Sequence, residues 1–393
     1  MCSHSVMFVE DQKKPDLYRF RDLTLCRAAG QLLAFACDST GAVGALPEDD
    51  FATDARRAGV FLVKVALMEV IASGAVPVAV YADFCYAPSP HTERVLAGVL
   101  DEVRSVGGGG EIVRPGYGTY GAPLCTATGV VVVGQAPPAG LQIACSQPGD
   151  LVCTVGRPMD KRSHIGQLTC AAVKALRDCA AVHEILPCGS KGFRYEANTL
   201  ADTSGLDFCE SETYPIKEQA QISCGACACA VFTVAPEDLP QVRALGIPYF
   251  ICPIGRLTGT RRQEALAPPA RWAPLRLTAD GSLHFCTGQR IRTAGAMSYA
   301  VGRRPRDEWI CAPEQRAVEL LKQLAASLPA VPFLLIDDLN LPMRPDGERV
   351  MAALRQQLTS CGIDPETGFT GSTEDNHPGP QTGMALRLFG WRE

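Results

Sequence analysis

The chain has 393 residues, 47% of them hydrophobic and 20% charged, with a net charge of −5 and a pI near 5.8. That length and apolar share describe a globular protein of two or three domains. Lys and Arg are concentrated on no segment, which argues against nucleic acid or another polyanion as the main partner and leaves a small molecule. The amino-terminal stretch MCSHSVMFVEDQKKPD has neither a basic lead nor a sustained apolar core, so no secretory leader is expected. Apolar runs such as GVVVVG are too short to span a bilayer, and a cytoplasmic protein without a membrane partner is the expectation. The 18 cysteines are scattered, mostly singly, in strings such as LLAFAC and YFICPIG, and read as small reduced hydrophobes.

In chain order, LLAFAC (32–37) reads as a buried strand running into the turn DSTGAVG. Residues 54–73 read as a helix with an N-cap at Thr53 or Asp54 and a stop at Gly74. VPVAVYA (76–82) is a strand, TERVLAGVLDEVRS (92–105) an amphipathic helix ended by GGGG, and GVVVVG (129–134) another strand. QAPPAG (135–140) breaks the composition, so the first module spans 1–137. A second α/β module over 138–262 holds a helix around 166–182, the turn LPCGSKG, and the strands ACAVFTV and IPYFICPIG. Cys224, Cys227 and Cys229 cluster there in ISCGACACAVFTV. With no second CxxC and no neighbouring His, they read as a tightly packed strand and not as a zinc or iron–sulfur site. EALAPPARWAP (264–274) is a linker, and LRLTADGSLHF a hairpin turning at Asp-Gly. The whole is a mixed α/β (α+β) protein.

The last segment, 263–393, repeats the first in part. Asp83 matches Asp338, Pro90 matches Pro345, Glu93-Arg94-Val95 matches Glu348-Arg349-Val350, Gly116 matches Gly371 and Pro123 matches Pro378, each 255 positions apart. The copy lacks a DSTG turn and a VALMEV helix. Two related modules in one chain substitute for a symmetric dimer, or serve packing alone.

Three carboxylates interrupt apolar strings: Asp38 after LLAFAC, Glu69 within VALMEVIA, and Asp83 between VAVYA and FCY, echoed by Asp337-Asp338 after LLI. An unpaired buried carboxylate costs several kcal/mol, so each needs a cation or a set of donors. Singly, ion pairs serve as well (Glu69 with Lys64 or an arginine, Asp83 with Arg94). Together the three point to an oxygen-rich Mg²⁺ site shared with phosphate. Ser39, Thr40, Gly41 and Gly44 form a short hydroxyl- and glycine-bearing turn that can donate to phosphate, although the GK[ST] ending of a P-loop is absent. Thr370-Gly371-Ser372-Thr373-Glu374 opens a second such loop, TGSTEDN. Its counterpart near residue 115, PGYGTYG, has lost the acidic groups. In the second module Lys191, between glycines, can reach a phosphate, and His183 can transfer a proton or serve the structure.

The strings ACDSTGAVG, VALMEVIASGAVPVAV, LPCGSKGFRYEANTLADTSGLDF, SCGACACAVFTV and TGSTEDNHPGPQTG together resemble the aminoimidazole ribonucleotide synthetase superfamily. The similarity is closest to the synthetase-related proteins that include α-ribazole kinase. The resemblance implies an ATP- and Mg²⁺-dependent enzyme whose N-terminal-type modules pair, within the chain or as a homodimer, around a barrel-like core. ATP would lie at the interface, held through Mg²⁺ by Asp38, Glu69 and Asp83, with Glu374 and its neighbours facing the phosphates. The reaction implied is phosphoryl transfer to a nucleoside-like alcohol such as α-ribazole, in cobamide lower-ligand salvage, with Asp83 or Glu374 accepting the hydroxyl proton. An amide-activating ring closure on the same fold and a silent nucleotide-binding scaffold are the alternatives.

Overall fold

The computed structural model describes residues 14–159, 167–261, 266–303, 312–377 and 379–393. The amino-terminal stretch read for a leader and Pro378 of the repeat lie outside the described residues, apart from Lys14, Pro15 and Asp16.

The first module is a six-stranded sheet with two helices on one face. Its strands are β1 (Asp16–Phe20), β2 (Leu23–Ala28), β3 (Gln31–Gly41), β6 (Val76–Tyr86), β7 (Val113–Tyr120) and β8 (Ala127–Gln135), in the order β1-β2-β3-β8-β6-β7. Short strands β4 (Val43–Gly44) and β5 (Phe51–Ala52) pair in parallel after β3. All nine residues of β8 are buried. A strand covered on both faces needs no alternation, which is why GVVVVG is uniformly apolar. Helix α1 (Ala55–Ala72) is capped by Asp54, whose carboxylate accepts from the Arg56 N–H at 2.9 Å. Helix α2 (Pro90–Ser105) begins with a capping box between Ser89 and Thr92.

The middle module is a five-stranded antiparallel sheet built from β9 (Leu151–Gly156), β10 (Val182–Pro187), β11 (Asp207–Glu210), β12 (Cys229–Val234) and β13 (Ile251–Thr258). Helices α3 (Cys170–Arg177), α4 (Phe193–Thr203) and α5 (Leu239–Arg243) accompany it. Side chains from α1 and from this module, among them Leu67, Val70, Val155 and Phe232, share one core. Helix α1 is therefore clasped between the first sheet and the middle module. That double burial is the reason its sequence is apolar nearly all round.

The third module has strands β14 (Arg276–Leu277), β15 (Leu283–His284), β16 (Arg290–Arg303), β17 (Val331–Asn340), β18 (Phe369–Thr373) and β19 (Gln381–Arg392). Their order, β14-β15-β16-β19-β17-β18, is that of the first sheet strand for strand. Helices α6 (Pro313–Ser327) and α7 (Glu348–Leu358) stand where α1 and α2 stand in the first module. Val76 and Val331, which open β6 and β17, are separated by the same 255 positions as Asp83 and Asp338. A helix thus fills the place of VALMEV with an unrelated amphipathic sequence.

The two six-stranded sheets pack face to face. Phe35, Tyr81 and Val131 of the first meet Ile336, Phe389 and Trp391 of the third in one buried cluster. Phe389 touches Phe35 edge-on at 5.2 Å between centroids and Tyr81 at 5.8 Å. At the seam's centre the buried Asp83 carboxylate accepts hydrogen bonds from Arg387 through Nη2 and, at 2.9 Å, Nε.

Candidate nucleotide and metal site

A cavity of about 220 Å³ opens where all three modules meet. The end of β3 supplies Asp38, Ser39 and Thr40, which extend the strand to Gly41 by pairing with β8 where the sequence suggested a turn; α1 supplies Phe61 and Val65, and the middle module supplies Gln167, Ser190, Ser223 and Gly225. The segment after β18 contributes Glu374, Asn376 and His377. Strand β18 lies parallel to β17, with Thr370, Gly371, Ser372 and Thr373 opposite Ile336, Asp337, Asp338 and Leu339. Only a glycine fits opposite Asp337, because a Cβ at Gly371 would overlap the Asp337 carboxylate and carbonyl oxygens. This pairing carries the loop across the seam onto β3. Ser372 Oγ donates to Asp38 Oδ1 at 3.1 Å and lies 3.0 Å from Ser39 Oγ.

Asp38 receives hydrogen bonds from two neutral donors, Ser372 and its neighbour's Ser39 N–H at 2.9 Å. Burial pushes its carboxyl up to about 7, against those hydrogen bonds, and the negative charge of Glu374 adds to the rise. Glu374 is pinned at its backbone, N–H to Leu339 O at 2.8 Å, while its side chain accepts from the Asn376 N–H at 2.6 Å. Two carboxylates of opposite modules thus face one cavity. On the other wall His377 stacks on Phe51 at 5.7 Å between centroids, with Nδ1 2.9 Å from Asp50.

The remaining candidates fall elsewhere. Glu69 is buried on α1 beside Arg21 and Ile185, in a smaller cleft. Burial raises its carboxyl well above the ordinary range, with Asp22 and Glu196 pushing the same way. Glu196 itself is raised to about 7, by burial first and then by Asp22. Asp83 is held by Arg387 inside the seam and does not line the cavity. Neither Arg94 nor Lys64 takes the pairings weighed from sequence: Arg94 binds Asp54, and Lys64 Nζ donates to Gln167 Oε1 at 3.1 Å. Among the described residues, the oxygens of Asp38, Glu69 and Asp83 do not gather within 4.8 Å of one another. The physical reason is the fold itself: Asp38 lines the cavity, Glu69 sits in the cleft between α1 and the middle module, and Asp83 is engaged by Arg387 in the seam.

Gly41 packs against Asn340, and a Cβ on it would stand 2.8 Å from that amide's Oδ1. Gly44 is closed in by Thr126 and Asp49, where a Cβ would lie 2.5 and 2.8 Å from their oxygens. Both glycines shape the turn behind the cavity. Lys191 is exposed on the turn next to Ser190, its Nζ 3.1 Å from the Tyr195 hydroxyl. His183 pairs with Asp150 at 2.8 Å inside the middle module, which raises its imidazole. Phe51, Phe61, Gln167, Ser190, Ser223 and His377 were not singled out from the sequence. They come from loops, the two-residue strand β5 and a helix face, whose convergence has no local signature.

The paired sheet-and-helix modules, with a third α/β module closing a cavity at their junction, form a mixed α/β fold that solved structures share over nearly the whole length of this chain. No protein-family model and no curated protein matches the chain. Among solved structures, PurLQS from Thermotoga maritima superposes with a TM-score of 0.59 at 12% identity, covering 97% of this chain and 75% of that one. T. maritima PurL complexed with ATP gives 0.58 at 12%, covering 96% and 73%. Phosphoribosylformylglycinamidine synthase II of the same organism gives 0.57 at 13%, covering 98% and 75%.

Proposed function

We propose that this protein is a Mg-ATP-dependent enzyme that phosphorylates a small nucleoside-like alcohol, its two like modules working as an internal pair around a single site. The observation that carries the reading is the cavity shared by Asp38 and Glu374, one carboxylate from each module. Mg²⁺ binds through one or two carboxylates, completing its octahedron with phosphate oxygens and water. A desolvated Asp38 held only by neutral donors suits that role, and Glu374 is the second ligand. The ion would neutralise charge on the transferred phosphoryl group. Ser39, Thr40, Ser190 and Ser223 offer hydroxyl and backbone donors to the phosphates. Lys191 reaches over the rim. The Glu374 carboxylate oxygen left free by the ion would take the acceptor's hydroxyl proton. The Phe51–His377 stack gives a flat base a surface to lie on. Asp83, engaged by Arg387, has no place in this site.

Likeness to a structure complexed with ATP supports the nucleotide half of the reading. α-Ribazole is the acceptor suggested by the sequence resemblance. Amide activation is a second reading, favoured by the fold shared with a phosphoribosylformylglycinamidine synthase. The cysteines described are all free, which suits a reducing cytoplasm with ready ATP. No helix among the described residues is long and apolar enough to cross a membrane.

The test is a thermal-shift titration with ATP, with and without Mg²⁺, followed by ADP release in the presence of candidate alcohols and amides. Ligand at 100 times its dissociation constant should add about 2.7 kcal/mol to stability. Asp38→Asn and Glu374→Gln should each weaken the Mg²⁺-dependent part by at least about tenfold. ATP binding that ignores Mg²⁺ and both substitutions would refute the site. ADP release with amides alone would replace the kinase by the ligase reading.

A further inference from the structure

Directly behind the cavity wall lies a second cluster of reactive groups. Cys188 follows β10, Cys224 stands between the cavity-lining Ser223 and Gly225, and Cys229 opens β12. All three are fully buried, and their sulfurs lie within 4.8 Å of one another. Cys229 Sγ is 3.2 Å from Cys224 Sγ. Backbone hydrogen bonds lock the three into place: Cys188 N–H to Cys229 O at 3.0 Å, Cys224 N–H to Gly189 O at 3.1 Å, and Ala228 N–H to Cys224 O at 2.7 Å. The sequence pattern groups Cys227 with 224 and 229. In the fold Cys227 turns into the core shared with α1, and Cys188, thirty-six positions upstream of Cys224, takes its place.

We propose that Cys188, Cys224 and Cys229 form a three-sulfur site for a soft monovalent d¹⁰ metal ion, of the Cu(I) class. Thiolates select soft ions. An ion with metal–sulfur bonds of about 2.3 Å in a trigonal plane spaces its sulfurs about 4 Å apart; the three lie within 4.8 Å of one another, with Cys224 and Cys229 at 3.2 Å having to part slightly to admit it. Structural zinc takes four ligands. Among the described residues no histidine, carboxylate or further cysteine joins these three. The surroundings, Phe193, Leu200, Ile216, Val231 and Ile254, are apolar and exclude water as a fourth ligand. Binding releases thiol protons, and the resulting negative charge lies within electrostatic reach of the buried Lys64 ammonium, whose partners include Cys227 and Cys229.

The experiment uses the whole reduced protein under anaerobic conditions, titrated with Cu(I) against bicinchoninate as competing chelator. One equivalent should transfer to the wild type and to Cys286→Ser, which changes an exposed cysteine of the third module. Cys188→Ser and Cys229→Ser should lose that equivalent while keeping the wild-type circular dichroism. Should either variant fail to fold, X-ray absorption on the copper-loaded wild type decides, with three sulfurs at about 2.3 Å expected. Failure to take Cu(I) from the chelator, unchanged stoichiometry in the serine variants, or tighter binding of Zn²⁺ with a nitrogen or oxygen ligand would each overturn the assignment. No nucleotide enters the assay, so its outcome is independent of the proposed activity.

Discussion

At Asp337 the chain buries a carboxyl with no counter-charge in contact among the described residues. Its side chain is sealed between β17 and β18, and Oδ2 lacks a hydrogen-bond partner among the described residues. Burial pushes the group up to about 7. The folded state therefore holds a proton that the unfolded chain releases near pH 4, and stability falls as pH rises from there to about 7. Asp337→Asn removes that fall. The variant should match the wild type near pH 4 and exceed it above pH 7 by up to about 4 kcal/mol in urea denaturation. An equal offset at both pH values would show that ionisation is not the cause. Asp83 is the opposite case, since Arg387 compensates it. Val131, which pairs with Tyr81 of β6 as Arg387 pairs with Ile336 of β17, holds the equivalent place in the first sheet, so Asp338 has no equivalent arginine, and burial raises it well above its usual range. Arg387→Met should cost about 3–5 kcal/mol by leaving Asp83 buried alone, and adding Asp83→Asn should restore part of the loss.

At the scale of elements, α1 and α2 approach through a pair of glycines. A Cβ at Gly98 would overlap the Arg56 carbonyl oxygen, and one at Gly59 would overlap that of Val95. Gly98→Ala should therefore separate the helices and lower stability by about 1–3 kcal/mol, read as a reduced melting temperature. In α7 the residue 255 positions later is Ala353, so the second helix pair has no glycine at this place. Strands and helices with a strong period were readable from the chain: α1 from its cap and Gly74, β8 from its apolar run, and β6 with β17 from their shared register. The two-residue strands β4 and β5 were not, because their pairing is set by loop closure and not by side-chain periodicity. Nor was α6 recognisable as the counterpart of α1. One is amphipathic and faces a single core, while the other is clasped between two, so the same place in the topology asks for different compositions.

At the scale of the molecule the decisive contact is the seam between the six-stranded sheets. Phe389→Ala removes a ring that touches both Phe35 and Tyr81 and should cost about 3–5 kcal/mol. Because the seam joins the modules, unfolding followed by tryptophan fluorescence, to which Trp391 of the seam contributes, and by circular dichroism should coincide, and separated transitions would show modules that fold alone. The sequence by itself determined the mixed α/β class, the repeat and its register, and the two hydroxyl- and acid-bearing segments around Asp38 and Glu374, which it read as turns although both are largely strand. Those are local patterns of hydrophobicity, glycine and capping, written within a few turns of chain. Only the tertiary structure decided that Asp38 meets the Glu374 loop across the seam, that Asp83 turns to Arg387 instead, and that Cys188 completes a cluster with Cys224 and Cys229. Such meetings depend on how sheets stack and strands order. Burial makes each of these groups need a partner without specifying which distant residue supplies it.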